Sequence, residues 1–155
     1  MKYSPAALNI LGYKKRSNHW NDFVTHTMQT WYKFKEDHSV SEFAWINNEH
    51  HNNSMGVTHG GALMTFMDYC MSATIWDLSD GGSSYTIELN NKFIRPARIH
   101  RWLFASVRPI TTSDSIELVG EVRVNDPTGM LVMQSTGKFT LPKILPKDKK
   151  ALTVI

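Results

Sequence analysis

The spacing of apolar and polar positions changes character along the chain. From Ala62 to Trp76 nearly every position is apolar, in a stretch that opens at "HGG" and closes at "SDGGSS". At about 18 residues it is longer than a typical strand and predicts a helix, with Gly81 or Gly82 available to end it. Being apolar nearly all round, this helix should be surrounded rather than lie on a surface. Beyond it the period drops to two, and "TIELNNKFIRPA", "WLFASVRP", "SIELVGEVRV" and "MLVMQSTGKFTL" read as four strands. The third of these alternates best, with Ile116, Leu118, Val122 and Val124 on one side and Glu117, Glu121 and Arg123 on the other. "ITTSD" and "NDPTG" read as hairpin-like connectors. "SVSEFAWI" predicts a fifth strand before the helix, and Trp20, Phe23, Val24, Met28, Trp31 and Phe34 stand at helical spacing. They predict one amphipathic helix over 17–35, with Ser17 or Asn18 as its N-cap. The class is α+β: five to six mostly antiparallel strands wrapped around one long helix, with an extra N-terminal helix.

At 155 residues the chain fits one domain, which divides into an N-terminal extension (1–37), a main domain (38–141) and a tail (142–155). A hydrophobic content of 41%, a charged content of 20% and a mean hydropathy of −0.33 argue against disorder and against a multi-span membrane protein. The net charge of +3 would suit an anionic ligand, but no Lys/Arg run is long enough for nucleic acid, and "KDKK" reads as a solvated tail. The single cysteine, Cys70, lies in the apolar run and reads as a buried thiol of a reducing compartment. With no secretory signal at the start, the expected location is cytoplasmic. The run 60–78 approaches the length of a membrane span, yet an acid at its centre and the lack of flanking basic residues oppose that reading.

That acid, Asp68, carries the chemical interest, because an ionised carboxylate among apolar neighbours is costly unless something pairs with it or uses it. The other polar exceptions are Thr65 and Ser72, and the three stand at i, i+3 and i+7 on one helical face. Such a stripe either fixes the helix by hydrogen bonding or lines a cavity or a subunit interface. At the helix start, His59-Gly60-Gly61 leaves backbone N–H groups pointing outward, where they can stabilise an oxyanion and let a ligand approach closely. Asp68 lies eight residues beyond Gly60, about 12 Å along the axis. It cannot reach a group held at its own helix start. If both parts serve one reaction, they come from two subunits, and a two-fold dimer carries two composite sites. The spacing of His50, His51, His59 and Asp68 matches no metal-binding motif, so no metal is expected. Tyr69, Trp76, Met64, Met67 and Met71 read as core, although a methionine-rich wall is compatible with a fatty acyl pocket.

"NSMGVTHGGALMTFMD" has the form N-x-x-G-x-x-H-G-G with Asp at the ninth place after His, and it resembles the hotdog-fold acyl-CoA thioesterases of the phenylacetate-pathway type, in the 4-hydroxybenzoyl-CoA thioesterase superfamily. "TIELNNKFIRPA" resembles the family's strand after the central helix, and the likeness runs over about 38–141. It implies a curved antiparallel sheet around one helix, an obligate dimer that often pairs into a tetramer, and hydrolysis of an acyl-CoA without a cofactor. Carried over to this chain, it implies that the Gly60 N–H polarises the thioester carbonyl with His59 beside it. Asn53 would position the thioester or water, and Asp68 of the partner would act as general base or nucleophile. Thr86 would orient Asp68 or water. Gly61, Thr65 and Ser72 would line the substrate, while Lys92, Arg95, Arg98, Arg101 and Lys138 are the candidates for the coenzyme's phosphates. One departure is His100, where the family often has glycine. A non-catalytic acyl-CoA or acyl-carrier binding module and a hotdog hydratase or dehydratase remain as alternatives.

Overall fold

The structure is a computed structural model that describes residues 3–17, 22–111 and 114–142. In chain order its elements are helix α1 (Pro5–Ile10), strand β1 (Lys14–Lys15), helix α2 (Phe23–Thr27) and strands β2 (Thr30–Phe34) and β3 (Ser41–Ile46). A 3-10 turn (Glu49–His51), the long helix α3 (Gly60–Leu78) and strands β4 (Thr86–Phe93), β5 (Trp102–Thr111), β6 (Ile116–Val124) and β7 (Met130–Phe139) follow. The strands form one antiparallel sheet in the order β1-β2-β3-β5-β6-β7-β4. This is the predicted α+β architecture, with β1 and β2 added at one edge.

Helix α3 lies against the sheet, and their shared core holds Phe66, Met67, Cys70, Met71 and Ile75 from the helix with Phe43, Trp45, Leu103, Leu118, Val122 and Met133 from the strands. Each such fully buried apolar side chain contributes about 1.5–3 kcal/mol by leaving water. Strand β6 buries every second residue from Ile116 to Val124, as its alternation predicts. Its middle buried position is Gly120, because Met67 fills that space: a Cβ there would lie 2.4 Å from the Met67 sulfur. Gly137 on β7 is held open in the same way for the Met71 sulfur, at 2.5 Å. The helix ends where expected, with Ser79 as C-cap and Gly81 at φ +93 donating its N–H to the Trp76 carbonyl at 2.9 Å. Among the described residues, no helix is long and apolar enough to cross a membrane.

Two expectations are corrected. Residues 17–35 do not form one helix, although 18–21 lie outside the described residues. Asp22 caps the short α2, and the chain then turns into β2. The apolar pattern misled because both faces of β2 are covered: Tyr32 and Phe34 face the main core, while Trp31 faces a second cluster with Leu8, Tyr13, Trp102 and Phe104. Helix α1, capped by Ser4, supplies that second cover on the side of the sheet away from α3. The second correction concerns α3, which is not surrounded. Met64 and Trp76 are exposed, and Asp68 and Ser72 are half-buried, so one side of the helix is open in the single chain.

Candidate active site

The start of α3 is held by its own loop. The His59 N–H donates to the His51 carbonyl at 2.7 Å, and Thr58 donates through both its N–H and its hydroxyl to the Ala97 carbonyl, at 2.8 and 2.9 Å. The Arg-Pro-Ala segment after β4 is therefore the strap that fixes the helix start. His59 is the N-cap, and its Nδ1 accepts the Gly61 N–H at 2.9 Å. That bond makes Nε2 the protonated nitrogen of the neutral ring and leaves it facing away from the helix. It also takes Gly61 out of play as a donor. The Gly60 N–H has no acceptor among the described residues, as the first N–H of a helix should. The Phe93 ring packs over Gly60, 3.4 Å from where a Cβ would stand, while remaining half exposed.

Asn53 closes the loop that leads to this start. Its Oδ1 accepts the Met55 N–H at 2.9 Å and the Val57 N–H at 3.4 Å, and its amide nitrogen makes no bond among the described residues. Its oxygen thus serves the turn. His51 is buried and committed on both sides, with Nδ1 accepting from the Asn48 N–H and Nε2 2.6 Å from the Thr27 carbonyl.

Two turns along α3, Asp68 is half-buried and meets Thr86 from β4, whose hydroxyl donates to Asp68 Oδ1 at 2.8 Å. Oδ2 has no donor among the described residues. Thr65 and Ser72 share the face on either side of it, half-buried, so the predicted stripe exists and borders the open side. Next to Asp68, burial and then the nearby carboxylate push the Cys70 thiol well above its usual range, which keeps it protonated and inert. Tyr69 is also held neutral, its pKa pushed up to about 12 chiefly by burial, and the Arg16 guanidinium lies over its ring at 5.1 Å. Asp68 and Gly60 of one chain stay two turns apart, as their spacing requires.

The profile of the Thioesterase superfamily matches residues 55–133, half of the sequence, and it covers the helix start, Asp68 and Thr86. The chain belongs to that superfamily. Solved structures agree at the level of the fold. Zebrafish thioesterase superfamily member 2 superposes with a TM-score of 0.67 at 17% identity, over 79% of this chain and 88% of that one. A phenylacetic acid degradation-related protein from Ralstonia eutropha gives 0.62 at 23% identity, over 89% and 91%. A thioesterase-type protein from Streptococcus pneumoniae, solved with coenzyme A, gives 0.67 at 12% identity, over 77% and 89%. Among curated proteins none matches the sequence significantly. The fold is the hotdog fold, a curved antiparallel sheet with one long helix.

Within this superfamily frame the proposed phosphate ligands fall apart into groups. Arg98 is exposed beside the helix-start loop, bridged through the backbone to Val57, and Arg95 is exposed nearby. Lys138 lies on the other side of the sheet, because its neighbours Gly137 and Phe139 face α3, and Lys92 lines a hollow there with Gln134 and Thr136. Arg101 follows His100 at the end of the sheet. Sequence reasoning passed over Phe93. Its signal was available: in the period of β4 it falls on the same side as Leu89, two residues before Arg95-Pro96.

Proposed function

We propose that the chain hydrolyses an acyl-CoA to a carboxylic acid and free CoA, at a site completed by two copies of the chain. One observation carries the reading: Asp68 is oriented by Thr86 through a single oxygen and presents the other on the open side of α3. A half-buried carboxylate with one oxygen held and the other free of a protein donor among the described residues is placed to take a proton. The thioester carbonyl accepts the Gly60 N–H of one chain, where the helix terminus favours the negative charge that develops on oxygen. His59 Nε2 and the Asn53 amide nitrogen are the neighbouring donors that position carbonyl and water. Asp68 of the other chain takes a proton from the water that adds to the carbonyl carbon, or adds itself to form an anhydride that water then opens. On either route the C–S bond breaks, sulfur leaves with the electron pair and is protonated, and one water is consumed per thioester.

The second copy is supported by what the single chain leaves uncovered. β4 ends the sheet, and Tyr85 just before it and Ile87 and Phe93 along it are 65%, 56% and 50% exposed, beside the open side of α3 with Met64 and Trp76. An apolar edge strand of this kind calls for a cover. The coenzyme A present in the S. pneumoniae relative supports CoA as the thioester's carrier. The test is release of free CoA thiol from aromatic, short-chain and long-chain acyl-CoAs, with wild type and Asp68→Asn side by side. Multiple turnovers by wild type and a loss of about 10²-fold or more in a variant that still folds are expected. No release from any substrate would favour the binding-module alternative, and equal rates would remove Asp68 from the reaction.

A further inference from the structure

A second hollow lies apart from Gly60, Asp68 and Thr86, where β3 runs out beside α2, with a volume of about 580 Å³. That is within the usual range for a small-molecule site, on the order of 300–1,000 Å³. Its wall is chemically one-sided. Among the described residues, every titratable group lining it is a base, Lys15, His26, His50 and His100, and no carboxylate lines it. The chain as a whole carries 14 acids against 17 Lys and Arg, so this separation is local. Gln29 and Asn48 add neutral polar groups. Two acids reach the rim from outside the wall: Glu49 pairs with His100 Nε2 at 3.1 Å, and Asp22 Oδ1 accepts the Thr25 N–H at 2.8 Å.

The walls are fixed relative to one another. His100 is held at φ +59, a conformation that costs a side-chain-bearing residue energy. Its N–H donates to the Asn47 carbonyl at 3.1 Å, and the next N–H, of Arg101, donates to Asn47 Oδ1 at 2.7 Å. Asn47 is fully buried and also donates to the Arg98 carbonyl at 3.0 Å. On the opposite wall, His51 ties the 3-10 turn to the end of α2 through Thr27. A hollow with bases on several sides and a rigid frame suits a multiply charged anion better than a single carboxylate.

We propose that this hollow binds a phosphate-bearing molecule of about nucleotide size. The proposal does not rest on thioester hydrolysis, and its test does not read turnover. The full-length chain is titrated with ADP at pH 6, by calorimetry and by the ring-proton NMR signals of its histidines, and again with inorganic phosphate and with CoA. ADP should move the His50 and His100 signals and leave His59, at the helix start, unmoved. A Lys15→Ala/His50→Gln variant with unchanged melting should bind ADP at least about tenfold more weakly. If CoA displaces ADP, the anion is the nucleotide end of CoA; if it does not, the ligand is a separate phosphorylated molecule, and both results uphold the site. No movement at His50 and His100 up to millimolar ADP, movement at His59 alone, or undiminished binding by the variant would overturn it.

Discussion

Asp68 is one of the few polar residues on a helix whose other neighbours are apolar, and its one hydrogen-bond partner among the described residues is a threonine hydroxyl from the adjacent strand. If that bond holds the carboxylate in its working orientation, Thr86→Ala should lower kcat by about tenfold, in line with the net worth of one hydrogen bond to a charged group. KM should change little, and Thr86→Ser should restore most of the rate. A loss confined to KM would make Thr86 a substrate contact instead. The half-exposed Phe93 ring and the outward Nε2 of His59 complete the surroundings of the Gly60 N–H, each placed by the loop and strand that strap the helix start. The motif residues were legible in the sequence because a helix start and a helical period fix their relative positions. Less legible was how each would be engaged. Gly61 donates to His59 and the Asn53 oxygen closes its own turn, both settled by local loop geometry that spacing does not encode.

At the scale of elements, α3 followed from the length of its apolar run, and β4 to β7 read as strands, most cleanly β6, whose alternation buries every second residue. β2 did not, because Trp31 and Tyr32 are covered from opposite sides by clusters distant in sequence, and a strand apolar on both faces mimics a helix. The side of the sheet that Lys92 and Lys138 would take was equally hidden. It depends on strand register and on an irregularity between Thr86 and Glu88. The contact between helix and sheet is tight enough to be tested at single positions. Gly120→Ala places a methyl against the buried Met67 sulfur and should destabilise the fold by about 1–3 kcal/mol in urea unfolding. An unchanged midpoint would mean that Met67 has room to move and that glycine is not required there.

The whole molecule is bound to its N-terminal segment through charge as well as packing. Arg16 pairs with Asp22, reaches Thr25 and stacks on Tyr69 of the central helix. The Arg16 hydrogen bonds hold the Asp22 carboxyl well below the usual carboxylate range, so the folded state binds this proton less readily than the unfolded chain. The pair's contribution is complete above the ordinary carboxylate value and is lost as pH falls through the depressed one. Wild type should therefore lose stability below about pH 4 more steeply than Asp22→Asn. Parallel curves would show that the pair, whose acid is partly exposed, is screened by solvent.

The proposed composite site makes its own demand on two chains. Gly60→Pro removes the N–H at the first helical position, where proline is accepted and the extended His59 before it poses no conflict. Asp68→Asn removes the acid. Each variant alone should be inactive. Unfolded, mixed in equal amounts and refolded together, they should recover about a quarter of the wild-type rate of CoA thiol release, because half of the dimers then carry one intact site of two. Recovery near that level would establish that the helix start and the acid come from different chains; a mixture as inactive as its parts would contradict it.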